Sequence, residues 1–118
     1  MKDLDTPLAK QMEIMEDGMK KLRRTLRKAE SNKESLELIE KVEKAAKASK
    51  DLVPAKAERM PATERAKFVE GYKKDMEATI KTIGEMKAAV QEGKNDKAQE
   101  LYKTIKTQED KGHEKYTD

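Results

Sequence analysis

From Pro7 onward, Leu8, Met12, Met15, Met19, Leu22, Leu26 and Ala29 recur at alternating steps of four and three residues. That spacing places all of them on one narrow face of an α-helix, the seam along which a helix packs on its neighbours. Thr6 and Pro7 suit its start, because a threonine oxygen can accept from a free N–H of the first turn, where proline lacks only an N–H that has no helical partner. Ser31-Asn32-Lys33-Glu34 has the form of a capping box and predicts a break near residues 30–32. A second stripe, Leu38, Ile39, Val42, Ala45, Ala46, Ser49, Leu52 and Val53, runs up to Pro54, and its small residues imply close approach between helices. Thr63 with Glu64 marks the next start, followed by Phe68, Val69, Tyr72, Met76, Ile80, Ile83, Met86 and Val90 before Glu92-Gly93. Asn95 or Asp96 is expected to cap the last helix, whose inner face is Ala98, Leu101, Tyr102, Ile105 and Tyr116. The predicted helices cover about 7–29, 34–53, 63–92 and 95–116, with the longest loop around Pro54 and Pro61. Four amphipathic helices with mostly short links predict an all-α fold, one domain over 1–118, arranged as an antiparallel up-down-up-down four-helix bundle.

Composition tests that reading before it supports it. Charged residues make up 43% of the chain, a polarity that on its own suits a disordered segment. The helical spacing of the few apolar residues argues for a fold instead. The 27 basic and 24 acidic side chains interleave to a net charge of +3, as on solvated helix faces with pairs at i,i+4. One stretch is one-sided: Lys20, Lys21, Arg23, Arg24, Arg27 and Lys28. Elsewhere the mixture does not supply the basic face that nucleic acid requires, so no nucleic-acid partner is expected. No apolar run approaches the ~20 residues that span a bilayer, and Met1-Lys2-Asp3-Leu4-Asp5 has no leader core, so no membrane partner and no signal peptide are expected. The absence of cysteine excludes a disulfide framework, a thiol nucleophile, a thiolate zinc site and covalent haem attachment through C-x-x-C-H. There is no nucleophile–base pair, no glycine-rich phosphate loop and no second histidine, so enzymatic turnover is not expected.

The candidate chemistry lies at the two ends of the chain. His113 is the only histidine, and it follows Ile105 and Glu109 on the inward face of the last helix. Alone, a histidine at a helix C-terminus does no more than favour the dipole there. Met12, in the first seam, is alone no more than core filler. In an up-down-up-down bundle, however, the start of the first helix and the end of the last lie at the same end, so Met12 and His113 are brought together. Phe68, Tyr72 and Tyr116, three of the four aromatic residues, gather there too. A hydrophobic end-cap or a flat apolar ligand such as haem would both use them. Imidazole and thioether are an established axial pair for haem iron, in which the soft sulfur favours Fe(II); filling both axial positions directs the chemistry to one-electron transfer. Seven methionines and one histidine could also bind Cu(I), although heptad spacing accounts for Met12, Met15 and Met19 as core.

Met12-Glu13-x-Met15-x-Asp17-x-Met19-Lys20, Val53-Pro54, Gly93-Lys94 with Lys97-Ala98-Gln99, and Lys106-Thr107 followed by His113-x-Lys115-Tyr116 together resemble the cytochrome b562 family over nearly the whole chain. The resemblance implies a non-covalent haem b, with Met12 and His113 as its iron ligands and Met15 and Tyr116 in the pocket. It implies either Tyr72 with Met76, or Phe68 with Tyr72, against the haem face. Glu109 and Thr117 stand where the family's best-known member has arginines at the haem edge, and Gly112 replaces an aromatic residue; Lys111 or Lys115 is then expected to meet the propionates. It further implies a periplasmic monomer that exchanges electrons with a redox partner protein. The alternative is a family member without haem, acting as a structural or partner-binding bundle.

Overall fold

Thr6 begins the described part of the chain as its sequence suggests: its Oγ1 accepts from the Ala9 amide at 3.0 Å, and Pro7 fills the first turn. The structure, a computed structural model, describes residues 6–117, so the leader reading of Met1 to Asp5 lies outside the described residues. Four helices follow: α1 (Pro7–Thr25), α2 (Asn32–Lys50), α3 (Ala62–Gln91) and α4 (Asn95–Tyr116). Among the described residues there is no strand.

The helix ends differ from the stripes in instructive ways. α1 stops before Ala29, which lies exposed in a single 3-10 turn, Ala29–Ser31. The Leu26 carbonyl accepts instead from the side chains of Asn95, at 3.0 Å, and Gln99, at 3.4 Å, both on α4. Tertiary partners thus satisfy a helix end that periodicity would have continued. Ser31 and Asn95 do not cap as expected. Ser31 precedes α2 without a side-chain cap bond, and Asn95 is the first residue of α4, its amide paired with Asn32 at 2.8 and 3.2 Å. Asp96 does not cap either; Lys94 occupies the cap position. α3 starts behind Pro61 rather than at Thr63. α2 ends at Lys50, so Val53 is 50% exposed while Leu52 still packs on the core. Pro54 disfavours helical backbone in the residue before it. Between Val53 and Pro61, a 3-10 turn (Ala55–Arg59) is held by Arg65, which donates to the carbonyls of Ala57 at 3.0 Å and Met60 at 2.8 Å. Gly93, at φ 74°, turns α3 into α4 through a conformation that side chains disfavour.

The bundle measures 50 × 24 × 19 Å. Its core is built from the predicted seams, including Met15, Met19, Leu22, Ile39, Val42, Ala46, Tyr72, Ile83, Met86 and Ile105. α1 and α2 approach closely at Gly18, where an added Cβ would stand 2.5 Å from Val42 Cγ2. Two buried hydroxyls pair across helices: Ser35 donates to Thr25 at 2.7 Å, and Tyr72 to the Ser49 carbonyl at 2.6 Å. Successive helices pack in sequence, α1 on α2, α2 on α3 and α3 on α4, whereas α1 and α4 meet much less. The bonds between α1 and α4 cluster toward the end that holds the two tight turns. Besides the Leu26 clasp, Tyr102 donates to the Met19 carbonyl at 2.9 Å.

Candidate functional site

Toward the opposite end α1 and α4 diverge, and a cleft of about 670 Å³ opens between them. Cofactor pockets typically span about 300–1,000 Å³. α1 contributes Leu8, Met12 and Met15, with Glu13 and Glu16; α3 contributes Tyr72, Asp75, Met76 and Thr79; α4 contributes Lys106, Gln108, Glu109, Asp110, Gly112, His113 and Tyr116. The helical repeat explains each wall. Met12 and Met15 are three apart, as are Glu13 and Glu16; Lys106, Glu109, His113 and Tyr116 follow at three, four and three.

Met12 is half-buried on the α1 wall, and His113 is exposed on the α4 wall in the last helical turn. The inward-facing histidine expected from the sequence is therefore at the mouth, not in the core. Its backbone carbonyl accepts from the Thr117 amide, at 3.2 Å, and from the Thr117 hydroxyl. Met15, Tyr72, Met76 and Tyr116 are buried in the lining. Phe68 is outside it, edge-on to Tyr116 at 5.1 Å, and Tyr72 also meets Tyr116 edge-on at 5.2 Å. Of the two pairings left open by the sequence, Tyr72 with Met76 is the one that reaches the cleft; Phe68 backs it. Tyr116 donates to Asp75 at 2.5 Å, and Lys115 pairs with the same carboxylate at 3.5 Å.

Neither lysine expected to meet the propionates lines the cleft: Lys115 is held by Asp75 and over the Tyr116 ring, and Lys111 is exposed on the outer face. The sequence reading missed Lys106, Gln108 and Asp75. The signal for Lys106 was available, since it precedes His113 by seven residues and so shares its face. Gln108 donates to Thr82 at 3.3 Å, but its Oε1 is buried without a hydrogen-bond partner among the described residues. Burial raises the Glu109 pKa, opposed by Lys106 at 3.7 Å and reinforced by Glu16 and Asp110. Burial likewise pushes the Tyr72 and Tyr116 hydroxyls well above the usual phenol range, with Asp75 adding to the effect at Tyr116. Both phenols therefore stay neutral hydrogen-bond donors. No group of three His, Cys, Asp or Glu residues suited to a metal ion occurs among the described residues.

A cleft with one thioether wall, one imidazole wall and an aromatic floor has the donor set and the apolar faces that a flat iron macrocycle needs. The family model for cytochrome b562 matches residues 7–117. The chain belongs to the cytochrome b562 family. Cytochrome b562 proteins are haem-binding electron-transfer proteins, in general periplasmic and not typically enzymes. No curated protein and no solved structure matches this chain. None of its helices, among the described residues, is long and apolar enough to cross a membrane.

Proposed function

We propose that this chain holds one haem b without a covalent link and carries single electrons, with Met12 and His113 as the axial ligands. The observation that carries the reading is the placement of Met12 and His113 on the two helices, α1 and α4, that flank one cleft. When bound, the haem iron supplies the one-electron couple. The chain's own residues do the rest. Met12 offers a soft sulfur that favours the reduced state. His113 offers an imidazole nitrogen. Met15, Tyr72, Met76 and Tyr116 provide an apolar bed that excludes water. A redox partner protein and a periplasmic setting follow from the same reading, as does action as a monomer.

The test is a titration of purified protein with haemin, followed by a reduced-state absorption spectrum. Sharp α and β bands at one haem per chain, lost in His113→Ala, are expected. The absence of saturable binding, or a broad spectrum indifferent to His113, sinks the proposal.

One observation favours the haem-free bundle instead. The charged lining is acidic, with Glu13, Glu16, Asp75, Glu109 and Asp110 against Lys106, which is unfavourable to a dianionic macrocycle. The titration separates the two readings.

A further inference from the structure

We infer that Lys106 is the carboxylate anchor of the cleft, the residue that receives a haem propionate and so sets which way the macrocycle faces. This rests on the haem reading above. Haem b carries two carboxylates on one edge, and a carboxylate leaving water needs a cationic or hydrogen-bonding partner. Among the described residues, Lys106 is the only lysine or arginine that lines the cleft. Five acids surround the same space, so an arm placed elsewhere meets like charge.

The other nearby cations are committed or face away: Lys56 donates to the Lys115 carbonyl at 3.5 Å. Lys115 pairs with Asp75 at 3.5 Å, and its ammonium lies 5.5 Å from the centre of the Tyr116 ring. Lys111 is exposed and outside the lining. Lys106, by contrast, holds Glu109 by a long contact of 3.7 Å with its own side chain 40% exposed. An ammonium in that state can turn from Glu109 to a second carboxylate, or hold both, since it has three donors. Glu109 is then a competitor for the same cation. Lys106 and His113 are two helical turns apart on one wall, about 10 Å along the axis at 1.5 Å per residue. Anchoring at Lys106 therefore puts the carboxylate edge on the bundle-centre side of His113.

The experiment compares haemin with haemin dimethyl ester, in which both carboxylates are masked, by equilibrium titration of wild type, Lys106→Met, Lys106→Arg and Glu109→Gln. Far-UV circular dichroism verifies the fold of each variant. A charge-assisted bond corresponds to roughly a ten-fold change in affinity or more. Lys106→Met is expected to weaken haemin binding by about that factor while leaving the ester within about two-fold. Lys106→Arg should retain haemin affinity, and Glu109→Gln should strengthen it. Equal losses for haemin and ester would assign Lys106 a packing role and overturn the anchor. No loss for either would overturn it as well, while leaving a His113-dependent haem spectrum, and hence the haem reading, intact. A wild-type protein that binds neither porphyrin overturns both.

Discussion

Tyr102 donates its hydroxyl hydrogen to the carbonyl of Met19 across 2.9 Å, joining α4 to α1 between the Leu26 clasp and the cleft. Beyond that bond, toward Met12 and His113, the helices separate. Tyr102→Phe keeps the ring and removes the tie. The variant is expected to lose about 0.5–1.5 kcal/mol in urea unfolding, the usual range for one intramolecular hydrogen bond. It should also show faster amide exchange around Met19. Unchanged exchange there would mean that packing alone holds the helices together.

Gly18 is the second contact that sets helix spacing. A methyl at this position would stand 2.5 Å from Val42 Cγ2, so α1 and α2 must move apart or Val42 must change rotamer. Gly18→Ala gains helix propensity but overpacks, and overpacking costs about 1–3 kcal/mol. A lower thermal midpoint is expected. Pairing it with Val42→Ala should restore part of the loss, and a stabilised single variant would refute the close approach.

His113 and Met12 separate ligation from packing. His113 is exposed, so His113→Ala should change haem-free stability by no more than about 0.5 kcal/mol, while abolishing the low-spin haem spectrum and the stability that haem adds. Equal destabilisation with and without haem would mark an ordinary structural histidine. Met12→Leu conserves apolar volume and should cost under about 1.5 kcal/mol. Its helix content should persist while the spin state and reduction potential change; an unchanged spectrum would remove Met12 as a ligand.

The fold was legible because the seams run at helical spacing and the three links interrupt them. The same spacing failed at both ends of the α1–α2 hairpin. Ala29 continues the first stripe and Val53 the second, yet each lies beyond a helix end that other parts of the chain determine: Asn95 and Gln99 at Leu26, and Pro54 after α2. Asn95 reads as a cap locally and serves instead as a cross-bundle partner of Asn32. At the site, topology alone brought Met12 and His113 to one end. Which cations face the cleft depends on where α4 is rotated and on what Asp75 already holds, and neither is written in periodicity. Lys106 was therefore passed over for Lys111 and Lys115.

Glu109 predicts a pH dependence with a definite sign. Burial raises its pKa in the folded protein, so the folded state holds the proton more tightly than the unfolded chain. The resulting stabilisation is complete below the ordinary glutamate pKa of about 4.3 and is lost as pH rises through the raised folded value. Glu109→Gln removes the ionised form. Its urea midpoint should exceed that of wild type at neutral pH, and the advantage should vanish in acid. A deficit at neutral pH that vanishes in acid would show that the Lys106 contact, not burial, governs this carboxyl, and a constant difference would show that the two offset each other.

The two facing walls of the cleft come from α1 and α4, which lie far apart in the order of synthesis. When α1, α2 and α3 have emerged, the seam of α1 that α4 will cover near Tyr102 is still bare, and the cleft has only one of its two facing walls. The cleft is therefore completed late in the making of the bundle, with the last turn of α4. A synthesis cut short before that turn leaves a helical remnant without the His113 side of the cleft.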